Sequence, residues 1–360
     1  MVTTEDQRAG RLRMYLSLVC CGAALVLTFL RFIEFDAPLT RYVRSLNDFY
    51  IDNLHNPWLR WLSDSGDQLG RGESLLLVSA VLLAVGYVLQ RASLKRAGWG
   101  TLFAHAVAGG VNTAIKHLVG RGRPKFMHTD HFEFVPFGGK GWDSFPSGHS
   151  MAAFAIATVL AVRFPKARWL VIVTALAVSA SRLFRASHFL SDIIAGAIFG
   201  VLIGMVVAHP WKVWRASVTS ALLTVTPPLA ALLAVMTTIG QTPSEDWIAT
   251  GLSQGGSLIV LTALILYIFI RVRPAMLPAS ITRRGAMAVM GLGIAMCSGS
   301  MWVATVVFLV CLAHWLHWDE TIQADEPLAR PAWSHEAALG LAVLLTLYTM
   351  NELRGVLPMG

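Results

Sequence analysis

The sequence predicts an all-α, polytopic membrane protein. Of its 360 residues, 55% are hydrophobic and only 14% are charged, and the mean hydropathy is +0.58. A soluble domain of this length carries about 25% charged residues. The apolar residues also form long blocks, and an α-helix needs such a block to cross the hydrocarbon core of a bilayer.

About ten of these blocks are predicted to be spanning helices. They are residues 14–30, 74–89, 97–115, 147–162, 169–181, 189–208, 216–240, 248–270, 285–316 and 337–350. The fourth and fifth blocks are short, which fits spanning helices whose flanking Arg and Lys side chains reach the interface.

The loops between these blocks alternate in charge. The basic loops contain Arg8, Arg11 and Arg13; Arg91, Lys95 and Arg96; Arg163, Lys166 and Arg168; Lys212 and Arg215; and Arg271, Arg273, Arg283 and Arg284. The acidic loops contain Glu245, Asp246, Asp319, Glu320, Asp325 and Glu326. Because basic loops stay in the cytoplasm, both termini are predicted to be cytoplasmic. The loops 120–146 and 182–188 then lie on the outer side.

Two other interpretations of the composition are disfavoured. The net charge is +8, but the basic residues cluster as topology signals and no nucleic-acid-binding motif accompanies them. The cysteines lie inside apolar blocks without metal-ligand spacing, so neither a disulfide nor a metal site is expected. These cysteines are Cys20, Cys21, Cys297 and Cys311.

The first polar motif is KHLVGRGRP, at the end of the third block. Lys116 closes the apolar run, and Arg121 and Arg123 follow in a segment that Gly and Pro keep from being helical. Alone, the motif fits a snorkelling lysine followed by a basic loop equally well.

The second motif is FPSGHS, directly before the fourth block. Pro, Ser and Gly favour a helix N-terminus, whose free N–H groups and dipole attract an anion. The candidate donors are Ser147, Gly148 and His149. Alone, the motif is more typical of an ordinary helix cap beside an incidental histidine.

The third motif is SRLFRASHFLSD, before the sixth block. In a helix, His188 and Asp192 share one face, where a carboxylate can fix the imidazole tautomer. Gly196, Gly200 and Gly204 continue that face, and such small residues allow close helix packing. A buried His–Asp pair with a purely structural role is the alternative.

Together, the motifs place cations, a helix N-terminus and two histidines on one side of the membrane, which suits phosphoryl chemistry. Their spacing resembles the three-part signature of the type 2 phosphatidic acid phosphatase superfamily, which also includes vanadium haloperoxidases and bacterial acid phosphatases. The matching positions are Lys116, Arg123 and Pro124; Pro146, Ser147, Gly148 and His149; and Ser181, Arg182, His188 and Asp192.

The resemblance implies a role for each matched residue. His188 would be the nucleophile that forms a phosphohistidine, and Asp192 would orient it. His149 would protonate the leaving group and then activate the hydrolytic water. The phosphate oxygens would be held by Lys116, Arg123, Ser147, Gly148 and Arg182. No metal or other cofactor is implied, because the cations take a metal's place.

Two groups near the signature do not belong to it. Arg121 has no assigned role, and Arg185 is expected to face water. His128, Asp130 and His131 are interpreted as a solvated outer loop rather than a metal site.

The resemblance implies a six-helix phosphatase core in residues 1–209, followed by about four additional transmembrane helices in residues 210–360. The expected function is hydrolysis of a lipid phosphate or pyrophosphate at the outer (periplasmic) face of a bacterial cytoplasmic membrane. Candidate substrates are undecaprenyl pyrophosphate, phosphatidylglycerol phosphate, phosphatidic acid and lipid A phosphates. A phosphotransferase that passes the phosphoryl group to a sugar or lipid is the main alternative, and a transporter or scaffold with an inactive site is another. The role and partners of residues 210–360 stay open.

Overall fold

The computed structural model describes residues 4–45, 57–126, 133–241, 246–272 and 283–316, with short stretches between 343 and 357. The fold class is all-α, as predicted. The helices are α1 Thr4–Ser45, α2 Pro57–Gly70, α3 Gly72–Val88, α4 Ala92–Val119, α5 Gly148–Arg163, α6 Arg168–Phe184, α7 Leu190–Ala208, α8 Trp214–Gly240, α9 Trp247–Val272, α10 Arg283–Cys297 and α11 Met301–Leu316.

The helices divide into two compact units. One comprises Phe32–Ala221, and the other comprises Met1–Arg31 with Leu222–Gly360. Helices α1 and α8 each contribute residues to both units. All residues of the predicted site fall in the first unit, and the suggested domain boundary at residue 209 stays a prediction.

Several helices are long and apolar enough to cross a membrane. Within the described residues these are Leu12–Ser45, Pro165–Phe184, Leu190–Ala208, Trp211–Gly240 and Trp247–Ile270. Helices α2 and α3 are apolar enough only when taken together, and they meet at a bend of 60°, as in a broken span or a re-entrant loop. The predicted blocks at α5, α10 and α11 correspond to shorter apolar helices.

One predicted block, 285–316, was wrong as a single helix, because it is divided into α10 and α11. Gly299 at the break has a φ of +72°, a left-handed conformation that favours glycine and ends helices. The Gly299 N–H donates to the Met296 carbonyl at 2.9 Å, and Ser300 then caps the next helix by accepting from the Val303 N–H. The predicted block 337–350 lies largely outside the described residues.

The glycine face of α7 packs directly on α5. A Cβ atom at Gly196 or Gly200 would lie 2.5 Å from the carbonyl oxygen of Ser147 or Met151, respectively. At Gly204 a Cβ atom would lie 2.5 Å from the Thr158 Cβ. Because no side chain fits between the helices, the first turns of α5 and α7 are held side by side, as the glycine spacing predicted.

Helix α2 packs in the same unit through two more glycines. A Cβ at Gly66 would lie 2.6 Å from the Ser181 Cβ, and one at Gly70 would lie 2.7 Å from the His149 ring. Trp58 and Trp61 of the same helix are exposed. The contact brings the C-terminal half of α2 against the site region.

In the second unit, α9 and α10 approach each other closely. A Cβ at Gly256 would lie 2.6 Å from the Gly293 carbonyl oxygen. The Ser17 hydroxyl of α1 donates to the Ala313 carbonyl of α11 at 2.9 Å. The polar contact satisfies a hydroxyl that is fully buried.

Candidate active site

His188 lies in the turn between α6 and α7 and is only 3% exposed. Its Nδ1 is 2.7 Å from the Ser144 carbonyl oxygen and 3.8 Å from Asp192 Oδ2. A carbonyl oxygen can only accept a hydrogen bond, so Nδ1 carries the proton. Nε2 is therefore the nitrogen with the free electron pair.

Ser144, which the sequence motifs did not indicate, connects Asp192 to His188. The Asp192 carboxylate accepts hydrogen bonds from the Ser144 hydroxyl at 2.6 Å and from the Phe189 N–H at 3.0 Å. The distance of 3.8 Å to the imidazole exceeds that of a hydrogen bond. Ser144 thus contacts both members of the pair, through its carbonyl and its hydroxyl.

Arg121 is the buried counter-ion of this arrangement. It is 3% exposed and donates to Asp192 at 2.6 Å and to Asp36 of α1 at 2.9 Å. It also donates to the Ser191 hydroxyl at 2.7 Å. Two fully buried carboxylates therefore share one guanidinium. A carboxylate within an apolar helix was the available sequence signal, since such groups seldom lie there without a partner.

Burial and charge together set the protonation state of His188. Burial lowers the pKa of His188 to about 4, with Asp192 opposing the shift and the charges of Lys116 and Arg123 adding to it. The imidazole is consequently neutral at pH 7 and can act as a nucleophile.

Lys116 and Arg123 are positioned by the end of α4. The helix stops at Gly120, which has a φ of +58°, and a Cβ there would lie 1.8 Å from the Val135 carbonyl oxygen. Only glycine is compatible with that turn. The turn leaves Lys116 in the last helical turn and Arg123 in the segment that follows.

Both cations face Asp143. Arg123 donates to the two carboxylate oxygens at 2.7 and 2.6 Å, and Lys116 Nζ is 3.9 Å from Oδ2. Burial by itself would raise the pKa of Asp143, but Arg123 and Lys116 outweigh it and hold the pKa below its usual range. Asp143 is therefore ionised at pH 7.

Arg182 is paired with a second carboxylate. It lies in the last turn of α6, is 6% exposed, and donates to Asp67 of α2. Asp67 Oδ1 is also 3.7 Å from His149 Nε2. The neighbouring Arg185, expected to face water, donates instead to Asp64 of α2 at 2.9 Å.

The N-terminus of α5 differs from its predicted form in one respect. Ser147 is fully buried as the N-cap, and its N–H donates to the Asp192 carbonyl at 2.9 Å. That N–H is therefore not available to an anion. The predicted anion site at this helix N-terminus would be left with the N–H groups of Gly148 and His149. A Cβ at Gly148 would lie 2.9 Å from Asn112 Nδ2, so the helix start packs closely against the Asn112 side chain.

The predicted residues are thus brought together from α4, α5, α6, α7 and the segments that flank them. Two aspartates pair with the signature arginines, Asp143 with Arg123 and Asp67 with Arg182. His128, Asp130 and His131 lie outside the described residues. Within the described part of the chain, no group of three His, Cys, Asp or Glu side chains could hold a metal ion.

The site lies within a segment that matches a known family. Residues 97–215 match the model of the PAP2 superfamily. This part of the chain is similar to the PAP2 superfamily. The match contains every signature residue from Lys116 to Asp192, and it confirms the resemblance found in the sequence.

Similar proteins of known name cover part of the chain. A lipid A 1-phosphatase of Rhizobium johnstonii is 30% identical over 154 residues, which are 39% of this chain and 63% of that protein. A lipid A 1-phosphatase of Rhizobium etli is 33% identical over 146 residues, 36% of this chain and 63% of that protein. The chain thus spans less than two thirds of the length of these relatives.

A permease and a solved structure are also similar to parts of this chain. A bacitracin transport permease protein BcrC of Bacillus licheniformis is 40% identical over 60 residues, 17% of this chain and 30% of that protein. The crystal structure of a transmembrane PAP2 type phosphatidylglycerolphosphate phosphatase from Bacillus subtilis is 23% identical, with a TM-score of 0.40, and covers 54% of this chain and 94% of that one. The apolar helices and the membrane-associated bacterial relatives indicate a multi-pass bacterial membrane protein.

Proposed function

We propose that this protein is an integral membrane phosphatase that hydrolyses a lipid phosphate through a phosphohistidine intermediate. The observation that carries the proposal is the state of His188. Its Nδ1 is committed to the Ser144 carbonyl, and its pKa of about 4 keeps Nε2 unprotonated at neutral pH. A neutral imidazole nitrogen that lies near cations able to hold a phosphate is suited to attack phosphorus.

The first chemical step forms a bond between His188 Nε2 and phosphorus and breaks the bond from phosphorus to the lipid oxygen. The bound phosphate is an anion beside the His149 ring and favours the protonated imidazole. His149 then gives its proton to that leaving oxygen. In the second step His149 takes a proton from water, and the resulting hydroxide attacks phosphorus and releases His188. The Asp192 carboxylate stabilises the positive charge that His188 carries in the intermediate.

The cations stabilise the charge on the phosphoryl oxygens during both steps. Arg123 and Arg182 can each form a bidentate pair of hydrogen bonds with phosphate oxygens, and Lys116 supplies a point charge. The N–H groups of Gly148 and His149 add the partial positive charge of the α5 N-terminus. In phosphoryl transfer such positioning and electrostatics account for most of the acceleration.

Lipid A 1-phosphate is the first substrate to test, because two relatives that align with more than a third of this chain are lipid A 1-phosphatases. Undecaprenyl pyrophosphate, phosphatidylglycerol phosphate and phosphatidic acid are the comparison substrates. With the basic loops in the cytoplasm, the site would face the periplasm.

The test is phosphate release by the purified, detergent-solubilised full chain with EDTA present. Wild-type protein should release inorganic phosphate from at least one of these lipids, and His188→Ala should lower the rate by about 10³-fold or more. His209→Ala is the matched control, since His209 lies just past the other end of α7 and bonds the Met205 carbonyl. It should retain wild-type turnover.

Three results would contradict the proposal. One is complete dependence on an added divalent metal. Another is near-normal turnover by His188→Ala. The third is a phosphorylated acceptor without free phosphate, which would identify a phosphotransferase.

A further inference from the structure

Asp143 is not part of the family signature, yet it contacts the signature cations. It accepts two hydrogen bonds from Arg123, at 2.7 and 2.6 Å, and lies 3.9 Å from Lys116 Nζ. A phosphate would use the same two donors of the guanidinium for two of its oxygens. The carboxylate and a phosphate therefore need the same face of Arg123.

We propose that Asp143 occupies the phosphate subsite of the ligand-free protein and competes with the substrate phosphate for Arg123 and Lys116. The inference rests on the proposed function and assigns a new residue to that site. It makes Asp143 a determinant of phosphate affinity and of product release.

The Asp143–Arg123 pair is exposed enough for phosphate to displace the carboxylate. The side chain of Asp143 is 42% exposed and that of Arg123 is 20% exposed. In contrast, the Arg121–Asp192 pair is 4% and 0% exposed. A carboxylate that leaves a half-exposed pair regains water, so its release costs little, whereas a buried carboxylate would be left without solvation.

The backbone around Asp143 is fixed while its side chain can turn. The Arg123 N–H donates to the Gly141 carbonyl at 2.9 Å, and the Ser144 N–H donates to the Arg121 carbonyl at 2.9 Å. These bonds hold the loop on both sides of Asp143. Release of Arg123 then requires only a change of the Asp143 side-chain rotamer towards solvent.

The exchange keeps the guanidinium paired throughout a catalytic cycle. Incoming phosphate displaces the carboxylate, and the carboxylate returns as inorganic phosphate leaves. A competitor inside the site weakens the binding of substrate and product alike. Weak product binding favours turnover, since tightly held phosphate would block the cations.

A purely structural role for Asp143 gives the opposite expectation. If the carboxylate serves to aim Arg123 at the phosphate, its removal weakens phosphate binding. If it competes, its removal tightens phosphate binding. The two roles are separated by the sign of one measured change.

The experiment measures thermal stabilisation of the detergent-solubilised full chain by inorganic phosphate, which does not depend on turnover. Asp143→Asn should lower the phosphate concentration for half-maximal stabilisation on the order of fivefold, because the fraction of protein with an open Arg123 increases. The KM for lipid phosphate and the inhibition constant of inorganic phosphate should fall in parallel. Asp143→Ala should behave alike.

Asp64→Asn is the matched control. Asp64 also pairs with an arginine on the same unit, at 2.9 Å, and is 62% exposed, but its partner Arg185 is outside the signature. The substitution adds the same charge to the protein, so it should change the half-maximal phosphate concentration less than twofold.

Unchanged or weaker phosphate binding in both Asp143 variants would overturn the proposal, and so would equal tightening in Asp64→Asn. If both Asp143 variants fail to fold, the residue is structural and the proposal is likewise overturned. Wild-type protein that releases no phosphate from any lipid would contradict the proposed function alone, since the comparison of phosphate binding among the variants would still decide the role of Asp143.

Discussion

The effect of removing the buried Arg121 can be predicted and compared with the effect of removing the more exposed Arg185. Arg121 and Asp36 are joined at 2.9 Å with side chains 4% and 0% exposed. Arg185 and Asp64 are joined at the same distance, with side chains 24% and 62% exposed. The two pairs share their distance and differ in their access to water. Arg121 also holds the buried Asp192, so the comparison tests the loss of a buried counter-ion against the loss of an exposed one.

Arg121→Met should lower the free energy of unfolding by about 3–5 kcal/mol, because it leaves buried carboxylates without their counter-ion. Arg185→Met should cost less than about 1 kcal/mol, since an exposed pair gains little over its hydrated partners. Reversible unfolding of the full chain in mixed micelles, followed by circular dichroism, gives both values.

A third variant identifies the origin of the larger loss. Adding Asp36→Asn to Arg121→Met removes one stranded charge, so the double variant should be more stable than Arg121→Met alone. Equal losses for Arg121→Met and Arg185→Met would refute the reasoning, and so would a double variant that is no more stable than Arg121→Met.

Three further predictions concern packing and protonation. Ser144→Ala should cost about 1–3 kcal/mol of stability and lower kcat, because Asp192 loses a buried donor; unchanged kcat in the phosphate-release assay would exclude the positioning role. Gly200→Ala should cost about 1–3 kcal/mol in the same unfolding assay because its Cβ meets a main-chain oxygen of α5. Gly109→Ala, which has open space around it, should be neutral or stabilising. Turnover should fall as pH drops through about 4, where His188 gains its proton. Because the folded protein binds that proton less tightly than the unfolded chain, acid below pH about 6.5 also destabilises the fold, so initial rates after a pH jump are required. A midpoint near 6.5 would contradict the buried, neutral imidazole.

Short-range patterns in the sequence were sufficient to predict much of this architecture. The His188–Asp192 spacing and the glycines of α7 lie within single helical turns of one another, so period and residue type identify them. The cations of the signature were found by their spacing too. These cations can be identified from the sequence without knowing which other helices lie beside them.

The missed residues share a different property, because their partners are distant in the chain. Arg121 bonds Asp36 across 85 positions, and Arg182 bonds Asp67 across 115. A local pattern contains no information about such a pair until the helices are packed. Ser144 was missed for a related reason, since half of its contribution is a main-chain carbonyl, which every residue possesses.

The fit of Gly70 against His149 has a consequence for sequence variation in this chain. Position 70 belongs to α2 and carries no functional group, yet any side chain there would be driven into the imidazole and into Val178. A scan of all substitutions should therefore show position 70 to be as intolerant as an active-site residue, while the exposed Trp58 of the same helix accepts many replacements. Tolerance along α2 would then follow how closely each position packs on its neighbours rather than the chemistry of the residues replaced.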